Sequence, residues 1–231
     1  MTEQKVTLTD RRKHDSFYDE ASKILRTNIR LSGKNTKSIL ITSCYPNEGK
    51  SDVVFQLATE IGEMGKRVLI IDADMRNSSY LSRYQVETKV QGLSEYLSGQ
   101  VNLFSVVYHT NYPGVDIIFS GHAAPNPAEL LEQPTFALMM EGMREKYDYV
   151  LVDTPPIGNM SDASIAAKNC DAAVLVVETQ RVSRKVAEKA KEQLTLSGCR
   201  ILGAVLNKVD LKADKYYSKY AHYYKYNKEN R

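Results

Sequence analysis

The feature that most constrains the fold is an apolar segment that runs directly into a short loop. Residues 38–42 read Ser-Ile-Leu-Ile-Thr, and residues 43–51 continue as Ser-Cys-Tyr-Pro-Asn-Glu-Gly-Lys-Ser. The apolar segment predicts a buried strand, and the residues after Gly49 open a predicted helix. In such a unit the loop N–H groups and the positive end of the helix face the same space, which favours an anion. The pattern therefore predicts a phosphate-binding loop, in which Lys50 supplies a charge and Ser51 offers its hydroxyl to Mg²⁺.

Two further apolar runs end in aspartate. Residues 68–74 read Val-Leu-Ile-Ile-Asp-Ala-Asp, and residues 149–153 read Tyr-Val-Leu-Val-Asp. Side chains alternate along an extended segment, so Asp72 and Asp74 lie on one face. Their convergence favours a cation, and Mg²⁺ prefers oxygen ligands that it shares with phosphates. We interpret the pair, with Asp153 binding the metal or orienting its water, as part of one site; the alternative is two aspartates brought together by chance on a surface loop.

The remaining contacts of the predicted nucleotide site come from the loop and from the last strand. Residues 204–210 read Ala-Val-Leu-Asn-Lys-Val-Asp, which includes the Asn-Lys-x-Asp string that reads guanine in GTPases. The segment after Asp153 lacks the glycine that GTPases place three residues later, so ATP is favoured over GTP. Arg76 is left with two alternatives, a phosphate or a neighbouring acid. The predicted nucleotide-binding residues are Pro46, Asn47, Glu48, Gly49, Lys50, Ser51, Asp52 and Asn207, the last as a contact to the base.

The order of predicted elements indicates an α/β fold. Strands are predicted at 38–43, 67–72, 115–119, 148–153, 171–178 and 200–206. Helices are predicted at 17–32, 49–64, 134–146, 162–169 and 183–197. Strand–helix alternation predicts a mostly parallel sheet flanked by helices, of the P-loop NTPase type, with its site at the carboxyl ends of the strands. The pattern weakens into short pieces between residues 75 and 128, which we expect to cover one edge of the site.

Charge is distributed unevenly along the 231 residues. The segment from Leu211 to Arg231 has six Lys/Arg against two Asp/Glu, so it carries +4 and the remainder −1 of the net +3. The same segment holds six tyrosines, at positions 216, 217, 220, 223, 224 and 226. Basic residues interleaved with aromatics suit nucleic acid or an anionic membrane, but the charge density favours neither. A segment so poor in apolar residues is expected to be mobile.

The domain prediction follows from these patterns. We expect a polar extension at residues 1–16, a P-loop domain at 17–210 and a flexible tyrosine-rich tail at 211–231. No apolar run reaches the length of a membrane span, and the first 15 residues lack a signal-peptide core. The three cysteines, at 44, 170 and 199, are widely spaced and indicate reduced thiols in the cytosol. Any link to a membrane is therefore expected to come through a partner.

These residues together resemble the bacterial tyrosine kinases that govern capsule and exopolysaccharide synthesis. The resemblance extends from about residue 17 to residue 231. It is carried by the phosphate loop, by the segments at 70–76 and 151–156, by Glu-Ala-Ser-Lys-Ile-Leu-Arg-Thr-Asn at 20–28, by Pro-Asn-Pro-Ala-Glu-Leu-Leu at 125–131, and by the tyrosine cluster. The phosphate loop is shared with cell-division and partition ATPases, whereas the motif at 20–28 together with the tail is far more specific.

The resemblance implies phosphoryl transfer from ATP·Mg²⁺ to tyrosine. By position, Asp72 resembles the family's base for the tyrosine hydroxyl, Asp74 and Ser51 resemble its metal-site residues, and Asp153 its third acidic residue. Lys50, Asp72, Asp74 and Asp153 are thus the predicted catalytic residues, with Ser51, Asp74 and Asp153 at the metal. The implied sites of phosphorylation between subunits are Tyr216, Tyr217, Tyr220, Tyr223, Tyr224 and Tyr226.

The resemblance also implies partners. Glu20, Lys23 and Arg26 occupy the interface motif of a kinase ring that forms when the tail is unphosphorylated. A separate transmembrane activator, the polysaccharide co-polymerase, is expected to recruit the cytoplasmic chain to the inner face of the plasma membrane. A cognate phosphotyrosine phosphatase is expected, and a nucleic acid is not.

Three positions depart from the family pattern. Asn47 replaces a glycine and is expected to need a positive φ, Asp52 is expected to place a negative charge near the phosphates, and Lys23 replaces an arginine. Two other functions stay open: a partition or cell-division ATPase switch, and a scaffold with weakened catalysis. The ATPases carry a signature lysine where this chain has Cys44, and they have no use for clustered tyrosines.

Overall fold

A mostly parallel sheet runs through the part of the chain that the structure describes, which comprises residues 4–12, 16–33, 35–158 and 160–210. The structure is a computed structural model. The strands are β1 (Gln4–Lys5), β2 (Ser38–Ser43), β3 (Val68–Asp72), β4 (Tyr108–His109), β5 (Val115–Ile118), β6 (Tyr149–Asp153), β7 (Ala172–Glu178) and β8 (Arg200–Asn207). The helices are α1 (Ser16–Leu31), α2 (Lys50–Gly62), α3 (Tyr80–Arg83), α4 (Leu93–Leu97), α5 (Pro127–Glu132), α6 (Pro134–Lys146), α7 (Asp162–Ala167) and α8 (Arg184–Leu196), with a short 3₁₀ helix at Leu103–Ser105.

The order and direction of the strands place the predicted site residues together at the carboxyl ends of neighbouring strands. The order is β1-β4-β5-β3-β6-β2-β7-β8, and every neighbouring pair is parallel except β4 and β5. Strands β3, β6 and β2 lie side by side in the middle, and Asp72 is in register with Asp153. Because parallel strands end at the same edge, the two aspartates and the loop after Ser43 meet there.

The central strands are buried on both faces, as their apolar runs predict. Every residue of β2 and β3 is buried. One core cluster packs α2 and α3 against the sheet, through side chains such as Phe55 and Tyr80. A second cluster packs α5 to α8 against the other face, through side chains such as Phe136 and Leu194. Burial of each large apolar side chain contributes roughly 1.5–3 kcal/mol, which fixes the sheet that carries the site.

The predicted fold class is confirmed, and the six predicted strands correspond to β2, β3, β5, β6, β7 and β8. The structure adds β1, β4, α3, α4 and α5, most of them in the weakly patterned stretch at 75–128. These elements have two to six residues each, too few to establish a period in the sequence. Among the described residues, no helix has both the length and the apolar character needed to cross a membrane.

Part of the predicted polar extension is packed into the fold. Val6 and Leu8 are buried, and β1 pairs with β4. The backbone N–H of Thr9 donates to the carbonyl of Tyr84 at 2.8 Å, and that of Leu8 donates to Oδ1 of Asn111 at 2.7 Å. Two alternating apolar residues that follow β1 are too weak a pattern to predict this packing from the sequence. The tail at 211–231 lies outside the described residues, and its boundary stays a prediction.

Candidate active site

The phosphate loop connects β2 to α2 and uses two left-handed residues. Asn47 has φ 65° and Gly49 has φ 86°. The positive φ expected for Asn47 is thus present, and asparagine is among the non-glycine residues that tolerate it best. A Cβ atom on Gly49 would lie 2.2 Å from Nδ2 of Asn207, so only glycine fits there. The loop backbone is therefore shaped by these two residues before any ligand binds.

The side chain of Glu48 holds the phosphate loop in place by hydrogen bonds. This side chain is fully buried, and its carboxylate accepts the backbone N–H of Tyr45 at 2.6 Å and that of Glu178 at 3.1 Å. Such charge-assisted bonds to backbone donors are strong. The predicted role of Glu48 in nucleotide binding therefore falls to its backbone, because its carboxylate is used to hold the loop against the end of β7.

The end of β8 also contacts the loop backbone. Nδ2 of Asn207 donates to the carbonyl of Glu48 at 2.8 Å, and Nζ of Lys208 donates to the carbonyl of Asn47 at 2.6 Å. Asn207 thus supports the loop in this structure, and its contact to a nucleotide base stays a prediction. The guanine-reading interpretation of the Asn-Lys pair is not needed to explain these residues.

Lys50 faces the three predicted carboxylates. Its Nζ lies 3.5 Å from Oδ2 of Asp74, and only 14% of its side chain is exposed. Burial lowers the pKa of Lys50, but the charges of Asp153, Asp74 and Asp72 outweigh burial and raise it above the ordinary value. The lysine is therefore cationic at the loop, as charge neutralisation of phosphates requires.

Asp72 is buried at the end of β3 and holds both of its oxygens in hydrogen bonds. Oδ1 accepts the backbone N–H of Asp74 at 3.2 Å, and Oδ2 accepts the hydroxyl of Ser78. Burial and the charge of Asp153 raise the pKa of Asp72 to about 7, while the Ser78 hydroxyl acts in the opposite direction. A carboxylate with a pKa near neutrality is suited to take up a proton at physiological pH.

Asp153 ends β6 beside Asp72 and is fully buried. Among the described residues, neither of its carboxylate oxygens accepts a hydrogen bond. Burial raises the pKa of Asp153, whereas Lys50 and the nearby hydroxyls of Ser51 and Tyr80 lower it in part. A buried carboxylate without a hydrogen bond is costly unless a cation is provided for it.

These residues fit a magnesium ion that is shared with phosphates. The described part of the chain contains no group of three or more His, Cys, Asp or Glu side chains that would hold a metal alone. Mg²⁺ usually takes only one or two protein carboxylates and completes its shell with water and phosphate oxygens. The orphaned Asp153 carboxylate beside the loop fits that role. Ser51, Asp74 and Asp153 therefore stay the predicted ligands.

Arg76 pairs with an acid, which decides between its two alternatives. Its Nε and Nη2 donate to the two oxygens of Asp162, at 2.8 and 3.1 Å. Asp162 is completely buried at the start of α7. This bidentate pair joins the segment after β3 to the segment after β6, and so connects the surroundings of Asp74 with those of Asp153.

Four residues near the site were not found from the sequence. Ser78 contacts Asp72, and the buried Tyr80 donates its hydroxyl to the carbonyl of Ser51 at 3.4 Å. Arg12 and Arg83 both pair with Asp52, so the negative charge expected near the phosphates is compensated. Ser78 and Tyr80 follow Asp74 closely, a signal that could have found them, whereas nothing in the sequence joins residue 12 to residue 52.

The predicted interface residues lie on α1, which packs on α2. Nη1 of Arg26 donates to Oε2 of Glu60 at 2.9 Å and to the Glu60 carbonyl at 3.3 Å. Glu20 is half-buried and Lys23 is exposed. Arg26 thus has a partner within its own chain, and the role of the three residues between subunits stays a prediction. The six predicted phosphorylation sites lie outside the described residues.

Comparison with known proteins gives consistent matches. A family model described as an AAA domain matches residues 33–196. The chain is 42% identical to the tyrosine-protein kinase CpsD of Streptococcus agalactiae, over 83% of this chain and 84% of the relative. It is similar in structure to the kinase domain of the Escherichia coli tyrosine kinase ETK, with a TM-score of 0.80, 30% identity and coverage of 89% of each chain.

A cell-division protein shares the fold less closely. The septum site-determining protein MinD from Pyrococcus horikoshii, complexed with Mg-ADP, gives a TM-score of 0.64 at 26% identity, over 74% of this chain and 70% of that one. The fold is therefore common to both groups, while the similarity in sequence is greater to the kinases.

Proposed function

The chain belongs to the family of bacterial tyrosine-protein kinases, and we propose that it transfers the γ-phosphoryl group of ATP to tyrosine hydroxyls. The observation that carries this proposal is the convergence of Lys50 and three carboxylates beside the phosphate loop. Phosphoryl transfer depends mainly on positioning and on neutralising charge, and these side chains supply both.

Each residue has a defined task in this proposal. The loop N–H groups and Lys50 bind the phosphates and stabilise the charge that develops on them. Asp72 accepts the proton of the tyrosine hydroxyl, whose oxygen forms a bond to the γ-phosphorus while the bond to the bridging oxygen breaks and ADP leaves. Ser51, Asp74 and Asp153 would hold Mg²⁺, which when bound neutralises phosphate charge.

We propose that the substrate includes the chain's own tyrosine cluster at residues 216–226, presented by a second subunit. Support comes from the end of β8, where Lys208 contacts the phosphate loop. The chain therefore leaves the described fold beside the site. Through this reaction the protein would regulate capsule or exopolysaccharide synthesis and export, together with a transmembrane activator at the plasma membrane and a phosphatase that reverses the modification.

The second candidate function is an ATPase switch of the cell-division type. The similarity to the MinD complex with Mg-ADP favours it. Such a switch would hydrolyse ATP without labelling tyrosine, so the two functions differ in where the phosphate goes.

The experiment that separates the two functions measures where the γ-phosphoryl group of ATP ends up. Incubation of the purified chain with ATP and Mg²⁺, with and without the activator's cytoplasmic segment, should give phosphotyrosine at residues 216–226 by mass spectrometry. Lys50→Met should abolish the labelling and leave the chain folded in thermal unfolding, because Lys50 is the first residue of α2 and is not part of the hydrophobic core. Release of inorganic phosphate without phosphotyrosine would favour the switch, and labelling by Lys50→Met would exclude this site.

A further inference from the structure

An acidic side chain stands beside the phosphate loop, in the first turn of α2. Asp52 comes directly after Ser51, and a Cβ atom on Gly49 would lie 3.9 Å from Oδ2 of Asp52. The start of a helix stabilises a carboxylate. Here, however, the same carboxylate would repel the phosphates that the loop is proposed to bind. If its charge were not compensated, Asp52 would weaken the binding of phosphates at the loop.

Two arginines from separate parts of the chain compensate this charge. Nη1 of Arg12 and Nη1 of Arg83 both contact Oδ1 of Asp52. The exposed fractions are 27% for the Arg12 side chain, 34% for Arg83 and 26% for Asp52. Partly exposed ion pairs add little to stability. Their effect on the electrostatic potential beside the loop is a separate matter, because potential acts at a distance.

Arg12 is held in place by contacts other than Asp52. Its Nε and Nη2 donate to the two oxygens of Asp10 at 2.8 and 2.6 Å, and Nη2 also donates to the hydroxyl of Tyr84 at 3.0 Å. Its guanidinium lies 5.4 Å from the centroid of the Tyr84 ring. A planar guanidinium fixed in this way loses little further freedom when it pairs with Asp52.

Arg83 reaches the same carboxylate from α3. Tyr80, at the start of that helix, donates its hydroxyl to the carbonyl of Ser51. Both arginines therefore come from elements that are already attached near the start of α2. The four side chains Asp10, Arg12, Asp52 and Arg83 sum to zero charge, and loss of either arginine would leave −1 beside the loop.

We propose that Arg12 and Arg83 set the affinity of the site for nucleotide phosphates by cancelling the charge of Asp52. This inference rests on the proposed function, since it requires a nucleotide at the loop. The arginines are positioning residues, which act through Asp52 and not on the reacting atoms. The segment at residues 4–12, predicted from sequence as an extension, thereby becomes part of the nucleotide site.

The test is a double-mutant cycle on the full chain, with ADP and Mg²⁺ as the probe in isothermal titration calorimetry. Arg12→Gln and Arg83→Gln should each weaken ADP binding roughly tenfold at low salt. Asp52→Asn alone should strengthen ADP binding by a similar factor, and the double variants Arg12→Gln/Asp52→Asn and Arg83→Gln/Asp52→Asn, which have the wild-type charge, should bind ADP within about twofold of the wild type. Arg12→Lys keeps the charge and should retain most of the affinity. Raising the salt concentration should shrink the loss, because salt screens exposed charges.

The outcomes separate this inference from its alternatives. Double variants that stay as weak as the single arginine variants would mean that the arginines bind the phosphates themselves, and would overturn the proposal. No loss in either arginine variant would also overturn it. If thermal unfolding shows that Arg12→Gln does not fold, Arg83→Gln and Arg12→Lys decide the matter in the same cycle. Failure of the wild type to bind ADP would overturn the proposed function and this inference together, whereas ADP binding by the wild type without rescue by Asp52→Asn removes only the inference.

Discussion

Three buried carboxylates and one lysine share a small space at the carboxyl edge of the sheet, and they differ in their partners. Both oxygens of Asp72 accept hydrogen bonds, and Asp74 faces Lys50. Asp153 accepts no hydrogen bond from the described residues. Equivalent side chains would be redundant for catalysis. Different partners imply different tasks, and the tasks can be separated by substitution.

Asp72→Asn and Asp74→Asn should both reduce phosphorylation at least about a hundredfold, the scale of losing a general base or a metal ligand. Asp74→Asn should raise the Mg²⁺ concentration needed for nucleotide binding, because it removes a proposed ligand. Asp72→Asn should leave that requirement unchanged, because its oxygens are held by Ser78 and by backbone. Titration of Mg²⁺ against bound ADP tests both, and identical metal dependence would reject the division of roles.

The raised pKa of Asp72 makes stability depend on pH. Its folded-state pKa is about 7 against an ordinary value of 3.8. At a pH between these two values the folded state therefore binds more protons than the unfolded state. Stability should therefore fall as the pH rises, by on the order of 1 kcal/mol between pH 6 and pH 8. The raised pKa of Asp153 acts in the same direction.

Urea unfolding at pH 6 and pH 8, without Mg²⁺ or nucleotide, checks this sign. Asp72→Asn removes the ionisable group and should lose at least half of the pH dependence. Asp19→Asn, on helix α1, removes one carboxylate that is not among the predicted site residues and is the matched control. A wild type that is more stable at pH 8, or an Asp72→Asn variant with the full dependence, would contradict the assignment.

The phosphate loop is the element on which the site depends, and it is attached at both sides to neighbouring strands. Glu48 joins it to the end of β7, and Asn207 joins it to the end of β8. A loop fixed in this way presents its N–H groups without having to order them when a ligand binds, which lowers the entropic cost of binding.

Glu48→Gln should make the phosphate loop less rigid. The amide keeps the shape of the side chain, but its NH₂ group cannot accept one of the two backbone N–H groups. Loss of a buried charge-assisted bond should cost about 1–3 kcal/mol of folding free energy and should weaken ADP binding. Chemical denaturation and calorimetry measure the two effects, with the exposed Glu132→Gln as control. Unchanged ADP affinity in a destabilised Glu48→Gln would show that loop rigidity does not serve binding.

The long elements and the loop could be predicted from sequence, because each leaves a local signal. The buried runs at β2, β3, β6 and β7 are continuous and apolar, and Gly49 with Lys50 identifies the loop. The short elements β1, β4 and α3 could not, since two to four residues establish no period. The same holds for the site. Asp72 and Asp153 end strands, and Lys50 opens a helix, whereas Arg12 meets Asp52 only through tertiary packing.

Arg26 shows how far assembly could be inferred from one subunit. The family resemblance places it at a subunit interface, and the structure pairs it with Glu60 of the same chain. Its Nε is buried without a hydrogen-bond partner among the described residues. Substituting Arg26 would therefore disturb the packing of α1 on α2 as well as any contact between subunits, so Glu20 and the exposed Lys23 are the cleaner positions for a test.

The proposed ring and the tail should be coupled through charge. Each phosphotyrosine adds about −1.5 to −2 charge at neutral pH, so six of them would overturn the +4 of the tail at residues 211–231. A tail so charged is repelled by Asp72, Asp74 and ATP. The phosphorylated protein should therefore be monomeric, whereas Phe at all six tail tyrosines should keep the ring assembled. Glu20→Ala with Lys23→Ala should abolish the ring and reduce phosphorylation between subunits.

Multi-angle light scattering with the activator's cytoplasmic segment present decides the matter, on four samples: unphosphorylated wild type, phosphorylated wild type, the six-Phe variant and Glu20→Ala with Lys23→Ala. Glu129→Ala with Lys185→Ala, on α5 and α8, removes the same two charges away from α1 and is the control for the interface variant. Equal assembly of the six-Phe variant and the phosphorylated wild type would show that the tail is not the switch. Full assembly of Glu20→Ala with Lys23→Ala would instead show that the interface lies elsewhere. The charge argument for the tail would still stand, because it does not depend on which helix forms the interface.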